Sequence, residues 1–182
     1  MRHGKPTVSL QEKISGNQFR SFVERYNAAK ITSNSKPSGY TLNLIQDAKF
    51  IFTSDLARTI DSARILDHHI QPISKTIFRE LNCWLHFPTD IKLSAFTWVI
   101  ISRILWEIGY HQDCESPKQA RQRAKKATEL LIEQHQCTGS VLLIAHGGIN
   151  ILIATHLRKM GWRGPRNPDG SHWGITTYIY GS

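Results

Sequence analysis

Hydrophobic and polar positions recur with a helical period in several parts of this chain. In residues 17–30 and 56–69 the apolar side chains return every three or four positions, as in amphipathic helices. A Ser-Pro-Lys-Gln capping box beginning at Ser116 opens a third predicted helix that runs to Gln136. Residues 91–109 are rich in Trp, Phe and Ile and predict a long, largely buried helix.

Short apolar runs predict strands between these helices. Residues 48–54 and 140–146 have the continuous apolar character of buried strands, and a helix over 147–161 follows the second. Residues 75–80 and 173–181 predict two further strands. Strands that alternate with helices indicate an α/β fold with a largely parallel sheet between helices, and we expect one domain over residues 1–182.

Hydrophobic stretches and cysteine usage indicate the cellular compartment of the protein. The most hydrophobic stretch, residues 93–102, has ten uncharged residues between Lys92 and Arg103, against about 20 for a membrane helix. Three scattered cysteines without a CxxC pair indicate neither a disulfide framework nor a zinc site. We therefore expect a cytoplasmic protein with reduced thiols and no membrane partner.

The formal net charge of +9 raises the question of nucleic-acid binding. Much of it comes from basic residues spread along predicted helices, and residues 118–126 are typical of a solvated helix face. Because no nucleic-acid-binding motif accompanies them, we do not expect nucleic acid as a partner. A positive surface also raises the encounter rate of small phosphorylated substrates, which we expect instead.

Polar side chains follow the predicted strands where each strand ends. His146 and Gly147 follow one strand, Arg58 lies one turn into the helix after another, and Glu80 ends a third. Since ligands bind at the carboxyl ends of such strands, these residues could meet Arg2 and His3 from the chain start.

This set suits a phosphate monoester. Arginine forks bind phosphate oxygens, the helix start after His146 offers free N–H groups, and imidazole can attack phosphorus. A second, protonated histidine can stabilise charge on the phosphoryl oxygens, and a carboxylic acid can protonate the leaving oxygen. Spacing alone also allows ordinary roles, namely structural histidines, a surface arginine and a tight Gly-Gly turn.

Three blocks of the chain resemble the signature of a known family. They are "RHG" at Arg2, "TSDLARTIDSA" at Thr53 and "LLIAHGG" at Leu142. In this order they resemble the histidine phosphatase superfamily, also called phosphoglycerate mutase-like, and together they span nearly the whole chain.

The resemblance implies a three-layer α/β/α fold and a phosphate pocket that requires no metal and no cofactor. It implies that His3 is the phosphorylated nucleophile and that Arg2, Arg58 and His146 bind the phosphate, with Gly147 contributing to the same pocket. Glu80 is the best match for the family's proton donor. Asp90 and Glu115 are poorer candidates for that role.

The segment after Glu80 indicates the branch of the family. Phosphoglycerate mutases carry an acidic-Arg-His-Tyr-Gly segment around the proton donor, and this chain has "RELNCWLHF" instead. A phosphatase is favoured, with a variable segment over about 81–110 that shapes the substrate site. Within that segment Trp84, His86 and Phe87 either line the site or belong to the core.

Two residues near the C-terminus, His172 and Trp173, could also approach the pocket. The competing functions are a non-catalytic phospho-ligand-binding or scaffolding domain and a phosphoglycerate-mutase-type phosphotransferase. The substrate and the oligomeric state are open.

The chain start departs from the family pattern. The Arg-His-Gly block normally ends a central apolar strand, and only Met1 precedes it here. Neighbouring strands would then keep unpaired backbone groups, each costing roughly 1–3 kcal/mol if buried. We expect that the true start lies upstream; the alternative is that Arg2 and His3 are held without that strand.

Overall fold

The computed structural model describes residues 1–66, 71–111 and 114–181. Within them the α-helices are α1 (Phe19–Ala28), α2 (Gly39–Ile45), α3 (Ala57–Leu66), α4 (Ala95–Glu107), α5 (Pro117–Thr138) and α6 (Gly147–Lys159). The strands are β1 (Lys13–Ser15), β2 (Ile51–Thr53), β3 (Ile73–Ser74), β4 (Lys92–Ser94) and β5 (Leu142–Ile144). No helix in these described parts is long and apolar enough to cross a membrane.

The central sheet has the strand order β3-β2-β5, and both pairings are parallel. The chain start joins it beside the end of β5, where the Ala145 N–H donates to the Met1 carbonyl at 3.0 Å and the His3 N–H donates to the Ala145 carbonyl at 3.1 Å. The Arg2 N–H donates to the Gly174 carbonyl at 2.9 Å. Backbone bonds from two neighbours thus hold Arg2 and His3 at the carboxyl edge of the sheet. The expected upstream strand stays a prediction.

Neighbouring residues of the sheet face two separate apolar cores, as alternation along a strand requires. Ile51 and Ile144 pack with Ala63 of α3 on one face. Phe52 packs on the other face in a cluster that includes Ala124 of α5 and Ile153 of α6. Helices therefore cover both faces of the sheet, which confirms the predicted three-layer α/β/α architecture.

The start of α5 follows the predicted capping box. The Ser116 hydroxyl accepts from the Gln119 N–H at 3.2 Å, and the Gln119 amide oxygen accepts from the Ser116 N–H at 2.8 Å. Pro117 occupies the first turn, where its missing N–H costs nothing. The helix ends at Thr138, and the φ of 81° at Gly139 suits the left-handed position after a helix.

A smaller unit beside the main sheet contains much of the variable segment 81–110. Strands β1 and β4 pair antiparallel, and α1 and α4 share one apolar cluster built around Phe19 and Trp98. The prediction of a largely buried α4 is wrong for one face, because the helix packs against this unit on one side only. The exposed side carries three large apolar residues, Phe96, Ile100 and Ile104, and the exposed Ile108 follows directly after the helix.

The prediction of a strand over residues 75–80 is wrong. Only Ile73–Ser74 pairs with β2, and Thr76–Phe78 forms a 3₁₀ turn. The turn buries Phe78 against Phe52, with ring centroids 5.3 Å apart, and Arg123 of α5 takes up carbonyls that a strand would have paired.

Two other predicted segments differ from the structure. Residues 173–181 make a single bridge, between Arg163 and Ile179, where a strand was predicted. Residues 31–40 are rich in Ser, Pro, Gly and Asn, a composition that predicts a loop. α2 nevertheless begins at Gly39, because the Ser38 hydroxyl caps it by accepting from the Thr41 N–H at 3.1 Å. The predicted end of the helix over 56–69 lies outside the described residues.

Candidate active site

Three of the predicted site residues meet at the carboxyl edge of the sheet. His3 comes from the chain start, Arg58 from the first turn of α3 and His146 from the residue before α6. Each is at most 2% exposed, and the two imidazole rings lie 5.0 Å apart in an edge-on arrangement. The structure therefore brings together side chains that are 55 and 88 residues apart in sequence.

The tautomer of His3 follows from its two hydrogen bonds. A carbonyl oxygen can only accept, so Nδ1, which lies 2.7 Å from the Gly4 carbonyl, carries the proton. Nε2 then holds the lone pair and accepts from Nε of Arg58 at 3.2 Å. Burial, followed by the charge of Arg58, lowers the pKa of His3 well below its usual value. His3 is thus a neutral imidazole with the free lone pair on Nε2.

His146 is held in the opposite tautomer. Nη2 of Arg58 is a donor only, so Nδ1 of His146 accepts from it at 3.3 Å and Nε2 donates to the Ser54 hydroxyl at 2.8 Å. Burial and the charge of Arg58 lower the pKa of His146 well below its usual value. The protonated form expected for a second histidine is therefore not the resting form.

Arg58 links both histidines to α1. Its Nη1 donates to the carbonyls of Tyr26 and Asn27 at 3.0 and 3.3 Å, and its guanidinium lies 5.0 Å from the centre of the Tyr26 ring. Burial lowers the pKa of Arg58, while Tyr26 and Glu80 oppose that effect. The guanidinium plane is fixed by the carbonyls, and its other two nitrogens face the imidazoles.

Arg2 lies beside this cluster and is tied to the C-terminal part of the chain. Its Nη1 donates to the Gly170 carbonyl, while its Nε is buried without a hydrogen-bond partner among the described residues. His172 comes from the same C-terminal part, and its ring centroid lies 5.8 Å from that of His3. Trp173 packs over Gly4, where any Cβ would lie 2.6 Å from the indole ring.

Glu80 lies at the N-terminus of α6, at the side of the cluster. Its Oε1 accepts from the N–H groups of Leu81 and Ile149 at 2.9 and 3.2 Å, and Oε2 accepts from Gly148 at 3.2 Å. A Cβ on Gly148 would lie 2.5 Å from Oε1, so the carboxylate reaches this helix end only because residue 148 is glycine. Gly147, by contrast, faces open space.

The segment that carries Glu80 is positioned by arginines that the sequence pattern alone did not single out. Arg79 donates to both carboxylate oxygens of Asp55 at 2.6 and 2.5 Å. Arg123 donates to the carbonyls of Ile77 and Arg79, each at 2.9 Å, and pairs with Glu115 through two bonds of 2.7 Å. The prediction of a solvated face for residues 118–126 is wrong for Arg123, because α5 lies directly over the turn before Glu80.

The remaining candidates have other partners. Glu115 is paired with Arg123, and Asp90 accepts from the Asn17 side chain at 2.9 Å. Trp84 and Phe87 pack around Phe19 in the smaller apolar unit, while His86 is exposed. Among residues 1–66, 71–111 and 114–181, no cluster of three or more His, Cys, Asp and Glu side chains could hold a metal ion.

A cavity of about 470 Å³ lies away from these residues, between β5, α6 and the C-terminal segment. Met1, Leu142 and Tyr178 are among its lining residues, and none of His3, Arg58, Glu80 and His146 lines it. The candidate site is therefore the polar cluster at the sheet edge and not this mostly apolar cavity.

Comparison with known proteins supports one family. The histidine phosphatase superfamily (branch 1) matches residues 41–181, a range that contains Arg58, Glu80 and His146 but not Arg2 and His3. No protein with a curated description matches the chain.

Three solved structures show the same fold at low sequence identity. YhfR of Bacillus stearothermophilus is 18% identical, with 99% of this chain and 84% of that chain covered and a TM-score of 0.60. The open reading frame Rv3214 of Mycobacterium tuberculosis is 18% identical over 98% and 92%, with a TM-score of 0.59. A mycobacterial glucosyl-3-phosphoglycerate phosphatase is 18% identical over 87% and 77%, with a TM-score of 0.57. The fold and the match over most of the chain show that this protein belongs to the histidine phosphatase superfamily (branch 1).

Proposed function

We propose that this protein is a phosphatase that hydrolyses a small phosphate monoester through a phosphohistidine on His3, without a metal ion. The family and the fold are consistent with phosphatase activity. The observation that carries the finer proposal is the arrangement of His3, whose Nε2 lone pair lies in a buried cluster with Arg58 and His146.

Phosphate binding would exchange the internal hydrogen bonds of Arg58 for bonds to the ligand. In the free protein Nε and Nη2 of Arg58 donate to the two imidazoles. A dianionic phosphoryl group is a stronger acceptor than a neutral imidazole, so both donors would turn to its oxygens. Arg2 and the helix start at Gly147 add further positive charge. Nε2 of His3 is then released for attack.

The chemical step begins with the Nε2 lone pair of His3. It forms a bond to phosphorus while the bond from phosphorus to the leaving oxygen breaks. A nearby dianion favours protonated His146, which would then donate from both ring nitrogens, to Ser54 and to a phosphoryl oxygen. This exchange accounts for a histidine that is neutral in the free protein and charged in the complex.

Glu80 would protonate the leaving oxygen and later accept a proton from water. Oε2 accepts one backbone bond and keeps a second lone pair, so this oxygen is the one that can carry the proton. In the second step water attacks phosphorus, its proton goes to the Glu80 carboxylate and the bond from Nε2 to phosphorus breaks. The net reaction consumes one water and yields an alcohol and inorganic phosphate.

The remaining expectations belong to this proposal. The chain acts as one domain, with residues 81–110 shaping the leaving-group side, and it works in the cytoplasm. Hydrolysis is favoured over phosphoryl transfer because this chain lacks the mutase segment after Glu80.

The proposal is tested with p-nitrophenyl phosphate in the presence of a chelator. Wild-type protein should release p-nitrophenol, and His3→Ala should lower turnover by about 10³-fold or more, as expected for loss of a nucleophile. His135→Ala is the matched control, because His135 lies on α5, where its ring packs against Trp162 outside the site.

Two results would overturn the proposal. Equal turnover in His3→Ala and wild type would exclude His3 as the nucleophile, and loss of turnover on chelation would exclude a metal-independent reaction. Phosphate binding without any turnover would support the non-catalytic alternative.

A further inference from the structure

The side chain of His172 has a buried ring nitrogen that makes no hydrogen bond to the described residues. Its Nε2 has no hydrogen-bond partner among the described residues, and its ring lies 5.8 Å from that of His3. The neighbouring Nε of Arg2 is buried and unpartnered in the same way. Buried polar groups normally have partners, so an exception beside a candidate site points to a missing ligand.

The backbone after His172 is held in an unusual conformation. Trp173 has a φ of 64°, in the left-handed region that residues other than glycine rarely adopt. Its N–H donates to the Arg2 carbonyl at 3.2 Å, and its indole donates to the Ser35 hydroxyl at 2.8 Å. Strain of this kind persists only where the surroundings enforce it, and it fixes His172 against the chain start.

The charges around His172 are those of an anion site. Arg2, Lys5 and His3 face it, with no carboxylate among the groups that shift its pKa. Burial, followed by Arg2 and Lys5, lowers the pKa of His172 to about 4. At neutral pH the imidazole is therefore uncharged and carries one N–H, which in the ordinary tautomer is on Nε2.

We propose that Nε2–H of His172 donates a hydrogen bond to a phosphoryl oxygen, which makes His172 a phosphate-binding residue beside His3. The inference rests on the proposed function, because it assumes that the anion bound beside His3 is a phosphoryl group. It adds a contact from the C-terminal segment to those from the chain start, α3 and α6.

The test compares two replacements of His172 by the binding of inorganic phosphate and vanadate in calorimetry. His172→Leu removes the donor at similar size and should weaken both anions about tenfold or more, as expected for a hydrogen bond to a charged group. His172→Gln can place an amide N–H near the Nε2 position and should recover most of that loss. His156→Leu, on the outer part of α6, is the matched control and should bind as the wild type does.

Equal anion binding by His172→Leu and wild type would overturn the inference. Equal losses in the Leu and Gln variants would also overturn it, because packing and not the donor would then be responsible. If the Leu variant does not fold, the titration of His172 in wild-type protein decides by nuclear magnetic resonance. Its midpoint should rise when phosphate is added, and an unchanged midpoint would contradict direct contact.

These readouts separate the inference from the proposed function. Binding of inorganic anions that depends on His172 would stand even if the protein turned over no ester. Normal turnover with anion binding that ignores His172 would remove the inference and leave the proposed function intact.

Discussion

The proposed mechanism divides the candidate site into a phosphate side and a leaving-group side, and the two are held by different kinds of contact. On the phosphate side the buried guanidinium of Arg58 donates to both His3 and His146. On the leaving-group side Glu80 is held by backbone N–H groups of α6, and its segment is held by Arg123. The phosphate side thus depends on a few side chains, while the leaving-group side depends on where a turn packs.

This difference separates two kinds of defect. A substitution on the phosphate side should weaken the binding and hydrolysis of every phosphorylated ligand, because all of them share the phosphoryl group. Damage on the leaving-group side should depend on the leaving group, because a good one needs no proton donor. Variants of the two sides test that contrast, and the largest change is expected on the phosphate side.

Among substitutions that leave both histidines in place, Arg58→Lys should have the largest effect, lowering kcat/KM for p-nitrophenyl phosphate by about 10²–10³-fold. Lysine cannot hold the Tyr26 and Asn27 carbonyls while directing two further donors into the site. Steady-state kinetics measures the change, with Arg121→Lys on the exposed face of α5 as the control. A loss confined to alkyl phosphates would contradict the assignment of Arg58 to the phosphate side.

Glu80→Gln should slow hydrolysis of an alkyl phosphate by about 10²-fold, a typical contribution of a general acid. With p-nitrophenyl phosphate the first step needs no acid, so a rapid-mixing experiment should still show a burst of p-nitrophenol before slow turnover. Disappearance of the burst would show that Glu80 matters for phosphate binding or nucleophile placement and not for proton transfer.

Arg123→Met should act through Glu80 and lower kcat for alkyl phosphates about tenfold with little change in KM. The guanidinium holds the carbonyls of Ile77 and Arg79, and small displacements of a catalytic group are costly. Lys125→Met, at an exposed ion pair on the same helix, is the control. If kcat fell as much for p-nitrophenyl phosphate as for alkyl phosphates, Arg123 would not act by positioning Glu80.

The phosphate side should also make the free energy of unfolding depend on pH, without any substitution. The pKa values of His3 and His146 are lowered on folding, so below about pH 6.5 the unfolded chain binds protons that the folded chain does not. Stability should therefore fall as the pH decreases from 6.5, by roughly 1 kcal/mol per pH unit for each histidine. Urea unfolding at pH 7.5 and 5.5 measures this, and His3→Gln should lose less stability than wild type. Equal losses would contradict a buried neutral His3.

Much of the framework could be predicted because local pattern and tertiary structure agree there. β2 and β5 are continuous apolar runs, and the helices after them have amphipathic periods. Arg58 and His146 lie where these strands lead into their helices. Their convergence is expected of parallel strands that end at one edge. The roles proposed for His3 and Glu80 rest on a family resemblance and not on spacing.

Other features depend on contacts distant in sequence and could not be predicted from local pattern. The apolar pair Ile77 and Phe78 suits a strand, yet Arg123, 46 residues away from Ile77, holds that backbone in a turn. The region 173–181 is rich in strand-forming residues but makes only one bridge, because pairing depends on a neighbour. Nothing in the local sequence around Ser54 indicates that its hydroxyl accepts a hydrogen bond from His146, 92 residues away.

The proposed mechanism depends most on Nε2 of His3 as the atom that carries the phosphoryl group, because Nδ1 is committed to the Gly4 carbonyl. Rapid quenching during turnover, together with phosphorus nuclear magnetic resonance and peptide mapping under alkaline conditions, identifies both the residue and the nitrogen. The mechanism predicts phosphohistidine at His3 with phosphorus on Nε2. Phosphorus on Nδ1, on another residue, or turnover without any phosphoenzyme would contradict it.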